Sequence, residues 1–356
     1  MNTHIETPVA PTAARDPTEH DVVSAVSQRI ILHPVLDTGI KMVLDLVECN
    51  KDLSEPRHMI VVGDSGCGKS TLCDELREKL GTTNKDHWFG TQTEISAIFC
   101  GVPSPVTPRS MAATLLRAMG VTRHLFGTTY ELTEELIMLL KSCQTKLVCL
   151  DDFQHLLSKG RTLNQAKSRQ LQEVQDWIKS IIVRSGVTFV LLGLHETLAL
   201  IDCEPQMLRR FTHVYELKPF SRTEIAKAAS HSHSGMVVFA DDLMYHALTG
   251  ANYFEDGVDF RGDMDAAMRL YVATNGVPSP VKELIVDATR DAYRRGERII
   301  SLANFARAYE KPLQGIRARN ERLRRDGAPK EKLIPEVNPF KVPIADIRVM
   351  YYKEAA

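Results

Sequence analysis

The chain has 356 residues, 44 Lys plus Arg against 45 Asp plus Glu, a formal net charge of -1, and 44% hydrophobic and 25% charged residues. These values exclude a low-complexity or disordered chain and a uniformly basic nucleic-acid coat, and the length allows roughly two to three domains. Charge is nevertheless segregated, because from Lys311 to the end eleven Lys or Arg face six acidic residues.

Residues 1–28, rich in Pro, Thr, Ala and acid, read as a flexible acidic arm without the basic and apolar regions of a signal peptide. A helix is expected after His33-Pro34, with apolar residues at 35, 36, 40, 43, 44, 46 and 47. Strands are expected at 58–62, 93–102, 146–152, 187–193 and 212–217, with helices at 70–80, 110–119, 131–143 and 168–184 between them. That alternation predicts an α/β core over 29–219 with a mostly parallel five-stranded sheet. After Pro219 the pattern is helical at 222–230, 239–248, 263–274, 280–294 and 301–310, with no convincing strand, which predicts an all-helical lid over 220–312. A basic extension, 313–356, ends the chain; its last part, from Ile334, is either a docked tail or a peptide for another partner.

The seven cysteines are odd in number and form no CxxC, which fits reduced thiols. No apolar run approaches the ~20 residues of a membrane span. A cytoplasmic protein without a membrane partner is expected.

The strongest signal is Gly63-Asp64-Ser65-Gly66-Cys67-Gly68-Lys69-Ser70, the GxxxxGK[ST] phosphate loop, between an expected strand and helix and extended by Thr71. Its glycines let backbone N–H groups turn inward around a phosphate, and the helix N-terminus adds its dipole. Lys69 is expected on the β- and γ-phosphates and Ser70 on Mg²⁺. About eighty residues on, Leu147-Val148-Cys149-Leu150 leads into Asp151, a carboxylate for the Mg²⁺ shell, and Asp152, which would orient the attacking water. Many ATPases with this loop carry Glu at the second position, and the shorter Asp predicts slow hydrolysis. There is no GxGxxG, and Asn84-Lys85-Asp86 lacks the spacing of the guanine-reading NKxD. ATP with Mg²⁺ is therefore the expected nucleotide.

The chain resembles the AAA+ ATPases, and within them the TniB and TnsC-type regulators of Tn7-like and Tn5053-like transposons. The likeness rests on Arg29-Ile30, His33-Pro34, VVGDSGCGKST, LVCLDDFQHLL (147–157), VTFVLLGLHETL (187–198), QMLRRF (206–211) and Pro219-Phe220. It implies a P-loop core with a helical lid and ATP held between subunits. Arg210 would then act as a finger from the neighbouring subunit, with Arg209 sharing the role. Arg29 and Lys282 join the nucleotide-binding set by the same resemblance, Lys282 standing where the family's lid supplies an arginine. Leu194 cannot sense the γ-phosphate where the family often has a polar residue, so His195 or Thr197 would take that part.

The resemblance further implies a bacterial homo-oligomer, a hexameric or heptameric ring or a helical filament, threaded by double-stranded DNA. Such an assembly passes a target site from a TniQ-type selection protein, or an RNA-guided complex, to a transposase. The cationic stretch with Lys159, Arg161, Lys167 and Arg169 either contacts DNA phosphates or is an ordinary solvated loop, and Arg109 is a further DNA candidate. Other readings are an initiator- or loader-type AAA+ ATPase, a STAND signalling ATPase, a helicase or a small-molecule kinase. A STAND protein would be expected to add a long C-terminal sensor, a helicase to carry more DNA-coupling motifs after the Asp pair, and a small-molecule kinase to be shorter and without the Arg209-Arg210 placement.

Overall fold

A computed structural model describes residues 16–87, 90–122, 126–156, 169–202, 205–222, 235–325 and 336–353. The chain divides into two compact units. An α/β unit comprises Leu32–Ser221 and Asn275–Ser279; a helical unit comprises the described residues up to Ile31, of Arg222–Thr274, and from Pro280 on. The stretches read as arm, lid and extension thus contribute to one unit, while Asn275–Ser279 counts with the other.

In the α/β unit, strands β1 (Met59–Val62), β4 (Ala97–Gly101), β5 (Leu147–Asp151), β6 (Thr188–Gly193) and β7 (His213–Glu216) form one parallel sheet in the order β4-β5-β6-β1-β7. Side chains alternate across it. Ile60, Val62, Val148, Leu150, Phe189 and Leu191 face one core, which holds helices α4 (Pro108–Ala118), α5 (Thr129–Ser142) and α6 (Arg169–Ser185). Met59, Val61, Leu147, Cys149, Val190 and Leu192 face the other, against α2 (Pro34–Cys49) and α3 (Lys69–Leu80). A sheet covered on both faces explains why its strands read as continuous apolar runs.

The expected strand over 93–102 is two strands. Thr82–His87 (β2) and Gly90–Ile95 (β3) make an antiparallel hairpin in register Thr82 to Ile95, and the chain breaks at Ser96 before β4. The Ser96 carbonyl accepts from both Lys146 N and Leu147 N, 2.9 and 3.1 Å, which anchors the break at the sheet edge. Asn84, Lys85 and Asp86 are therefore hairpin residues.

The helical unit contains α1 (Glu19–Ser27), α9 (Gly235–Thr249), α10 (Met264–Thr274), most of α11 (Pro278–Arg294), α12 (Leu302–Ala308), α13 (Glu310–Arg325) and α14 (Ile344–Lys353). It also has a two-residue parallel bridge, Asp256–Gly257 with Ile299–Ile300, that the purely helical expectation omitted. The first helix lies in the stretch read as a flexible arm. Thr18 and Asp21 form a capping box at its start, and Val22 and Val26 are buried. Glu19 pairs with Arg294 at 2.8 Å, and the Tyr293 hydroxyl donates to Pro17 O at 2.9 Å.

The described part of the tail is docked on this unit. Asn338 Nδ2 donates to Ala306 O at 2.7 Å, Arg269 reaches Val342 O at 2.9 Å, and Ile347 and Tyr351 are buried. Among the described residues no helix is long and apolar enough to cross a membrane, and the six described cysteines are free thiols. The expected helix at 222–230 lies outside the described residues except for Arg222.

Candidate functional site: a phosphate loop facing an aspartate pair

In this order the chain leaves β1 toward β4 on one side, whereas from the adjacent β6 it crosses to β7 on the other side. The loop following β1 therefore emerges at the switch point of the sheet, where α/β folds open a crevice. Gly66 (φ 85°) and Gly68 (φ 98°) hold left-handed backbone that lets the loop curl before α3 begins at Lys69. Gly63 is required for a different reason. A Cβ there would lie 2.5 Å from Leu217 O, because Leu217 N binds Val62 O at 2.8 Å as the chain leaves β7. Gly63→Ala is expected to lower unfolding free energy by about 2 kcal/mol. A urea titration checks this, and unchanged stability would show that the close approach is not fixed.

Lys69 Nζ donates to Gly63 O at 2.6 Å and Asp64 O at 3.0 Å, which keeps the ammonium over the loop. Ser70 Oγ lies 3.5 Å from Asp151 Oδ2 across the crevice. Burial pushes the Asp151 carboxyl up from its ordinary range, against the pull of the Asp152 N–H, which donates to Asp151 Oδ1 at 2.8 Å. A hydroxyl and a partly desolvated carboxylate on opposing elements are hard oxygen ligands that suit Mg²⁺. Among the described residues no group of three or more His, Cys, Asp or Glu side chains forms a metal site.

Asp152 has φ 57°, in the left-handed region that Asp and Asn tolerate better than other non-glycine residues. Its exposed carboxylate accepts from Gln154 Nε2 at 2.8 Å. The same amide accepts through Oε1 from Leu194 N at 3.2 Å. Leu194 N–H can only donate, so the amide oxygen faces it and the amide NH₂ faces Asp152. Gly193 makes room for this arrangement, since a Cβ there would be 2.7 Å from Gln154 Oε1 and 2.2 Å from Thr197 Oγ1. Gln154 thus ties the aspartate pair to the end of β6. In the sequence Gln154 stands out only as part of DDFQHLL; the signal it carries is its position two residues after Asp152.

His195 lies beside the loop, 3.0 Å by Nε2 from Glu216 Oε1 and 3.7 Å by Nδ1 from Asp64 Oδ1. The hydrogen bonds from His195 and Lys218 hold the Glu216 carboxyl below its ordinary range. Among the described residues, Thr197 Oγ1 is buried without a hydrogen-bond partner. The short segment Asn275–Ser279 also reaches the loop, with Ser279 N donating to Gly66 O at 3.1 Å.

A sequence profile of the family described as bacterial TniB protein matches residues 23–221, more than half of the chain. The chain belongs to the bacterial TniB family. No curated protein sequence matches it. Among solved structures it is similar to the ORC1 protein of Aeropyrum pernix in complex with DNA, at 14% identity and TM-score 0.55, over 83% of this chain and 72% of that one. It is similar to Cdc6p of Pyrobaculum aerophilum at 13% identity and TM-score 0.52, over 94% and 83%. The Aeropyrum pernix ORC2 protein, solved as ADPNP-ADP complexes, aligns at 14% identity and TM-score 0.51, over 81% and 71%. At such identities the likeness is one of fold, and the fold is that of the AAA+ P-loop ATPases.

The remaining expected site residues of this TniB-family chain are distributed as follows. Arg209 and Arg210 end α8 (Pro205–Arg210) beside β7. Arg209 is exposed and 3.6 Å from Glu55, a weak surface pair. Arg210 is half-buried and has no carboxylate at ion-pair distance among the described residues. Arg29 and Lys282 belong to the helical unit, where Lys282 Nζ donates to Arg29 O at 2.7 Å. Arg109 sits in the first turn of α4 and donates to Gly127 O. Arg169 begins α6, while Lys159, Arg161 and Lys167 lie outside the described residues.

Proposed function

We propose that this chain is an ATP-dependent, DNA-binding regulator of transposition that works as a homo-oligomer, linking target-site selection to recruitment of a transposase. The observation that carries the reading is the convergence of Lys69, Ser70, Asp151 and Asp152 on one crevice, in a chain of the TniB family. When bound, Mg²⁺ would neutralise phosphate charge between Ser70 and Asp151. Loop N–H groups and Lys69 would hold the nucleotide's phosphates, and Asp152 would orient the attacking water, with Gln154 fixing its carboxylate. His195 or Thr197 would respond to the terminal phosphate, and Lys282 and Arg29 would contact nucleotide from the lid. Hydrolysis would reset the assembly, so its output is remodelling.

Arg210 would be the finger on the neighbouring subunit's nucleotide, with Arg209 sharing the role; Arg210 has no acidic partner among the described residues, and Arg209 has only the weak surface contact to Glu55. Duplex DNA would run along the cations of the 159–169 stretch and Arg109, repetition in the oligomer supplying avidity. A TniQ-type protein, alone or with an RNA-guided complex, would deliver the target.

Mixing tests the shared site. Arg210→Ala and Lys69→Ala subunits are each expected to lose ATPase activity on DNA. A mixture of the two is expected to regain a measurable fraction, because some interfaces pair an intact loop with an intact arginine. A mixture that stays inactive, while wild type is active, would remove Arg210 from the trans role. Electron microscopy with a slow ATP analogue and duplex DNA tests the whole reading: rings or filaments support it, and a monomer indifferent to DNA overturns it.

A further inference from the structure

The helix Glu310–Arg325 carries six cations and two acids. Its inner line is Leu313, Ile316, Asn320 and Leu323, of which Leu313 and Asn320 are buried. At 100° per residue the opposite line is Lys311, Gly315, Ala318, Arg322 and Arg325, with Arg319 beside it, and all of these are exposed. Arg324 is held by Glu336 at 2.7 Å, and Arg325 lies 3.8 Å from Glu321 with both side chains exposed. Lys311, Arg319 and Arg322 have no acidic partner among the described residues.

Lys311 also borders a charged cleft. That cleft, about 120 Å³, is lined by Arg290, Arg294 and Arg307 as well as Lys311. There Arg290 and Arg294 are paired with Glu19, Arg290 also with Asp287, and Arg307 with Asp291. Its arginines are neutralised from within, whereas among the described residues Lys311, Arg319 and Arg322 have no acidic side chain at ion-pair distance.

Gly315 adds a second observation. Glycine inside a helix is unfavourable relative to alanine. It is retained in folds where φ is positive or where a neighbour leaves no space, and neither holds here: Gly315 is helical, and nothing lies within 4 Å of a Cβ built on it. The space above it is open to whatever approaches from outside. Gly315 and Ala318 make a shallow saddle between Lys311 at one end and Arg319 and Arg322 at the other. Lys311 to Arg325 spans about 21 Å of helix, a length over which duplex DNA presents about a dozen phosphate charges. A rigid phosphate backbone can lie in that saddle with cations on both sides.

We propose that this outer face of the helix Glu310–Arg325 is a docking surface for the phosphate backbone of duplex DNA, with Gly315 kept small so that the backbone approaches closely. The assignment rests on the DNA-binding reading and adds to it a surface on the helical unit, outside the 159–169 stretch and Arg109. Contacts to phosphate position a protein on a duplex without reading sequence, so the surface would be indifferent to target sequence.

The test uses the full chain and a fluorescently labelled duplex, measured by anisotropy with a slow ATP analogue across a salt series. Replacing Lys311, Arg319 and Arg322 together by Gln is expected to weaken binding at least tenfold. It should also flatten the slope of log affinity against log salt by about three, one for each phosphate no longer neutralised. Gly315→Gln changes no charge, and is expected to weaken DNA binding severalfold while raising the thermal midpoint. Gly315→Ala is expected to raise the midpoint and to weaken DNA binding by a smaller factor than Gly315→Gln. If the triple variant keeps wild-type affinity and slope, this surface is overturned while the DNA-binding reading survives. If wild type binds no duplex in any nucleotide state, that reading fails and this one with it. Polyglutamate competing as well as duplex of equal charge would make the face a site for acidic protein and overturn the DNA assignment.

Discussion

Asp152→Asn is expected to lower ATP turnover by about a hundredfold and leave ATP affinity within about twofold of wild type, as for loss of a group that assists proton transfer from water. Asparagine tolerates the left-handed backbone at Asp152, so the loop keeps its path and only the carboxylate is lost. Lys69, Ser70 and Asp151, the nucleotide and metal candidates, are untouched. The same φ of 57° gives a reason for aspartate where many related ATPases have glutamate: a longer side chain tolerates that conformation less well. Gln154→Glu separates the two bonds that the amide makes. Its carboxylate still accepts from Leu194 N but faces Asp152 as an anion, and turnover is expected to fall about tenfold. Steady-state kinetics together with nucleotide titration check both. Wild-type turnover in Asp152→Asn would remove that residue from water orientation, and wild-type turnover in Gln154→Glu would reduce Gln154 to loop packing.

The second large effect is acid instability of the α/β unit. His58 is fully buried, accepts at Nδ1 from Phe189 N (3.1 Å), and has no partner at Nε2 among the described residues. Burial first, and the neighbouring Arg210 second, lower its pKa to about 3; burial alone lowers that of His33 to about 4. Both are neutral in the fold, whereas in the unfolded chain they take a proton near pH 6.5. Their contribution is therefore complete above pH 6.5 and is lost as pH falls, down to about 4 for His33 and about 3 for His58. Each costs about 1.4 kcal/mol per pH unit in that window, so from pH 6.5 to 4.5 the two remove roughly 5 kcal/mol, much of a typical domain's stability. Asp241, in the helical unit, acts oppositely: burial raises its pKa to about 6, so acid favours its folded form. The two units should diverge in their response to acid. Urea unfolding at pH 7.5 to 4.5 measures this, and His58→Asn, which keeps an acceptor but does not titrate, should flatten the slope by about 1.4 kcal/mol per pH unit. An unchanged slope would mean that His58 is protonated in the folded state.

Features written in contiguous residues were legible in the sequence. Met59–Val62 and Leu147–Asp151 are short apolar runs ending in the residues that make the site, and the phosphate loop is continuous. The hairpin of Thr82–His87 and Gly90–Ile95 was not, because its strands are polar and carry little of the apolar alternation that marks a half-buried strand. In Glu19–Ser27 the only sign of a helix was Val22 and Val26 one turn apart behind Thr18 and Asp21, inside an otherwise acidic stretch. Gln154 was hidden for another reason, since its second partner, Leu194, lies forty residues away and is bound through backbone.

The return of Asn275–Ser279 to the α/β unit has a consequence for how the protein is made. Val277 packs into the core beneath the loop, Phe220 N donates to Gly276 O at 2.8 Å, and Ser279 N donates to Gly66 O. When a ribosome has released the last sheet strand, at Glu216, the phosphate loop still lacks these supports. They arrive only after the intervening residues 222–274 have also emerged, so the nucleotide crevice matures late, and a nascent chain cut short at Ser221 would carry the phosphate loop, the aspartate pair and Arg210 without their closing clasp.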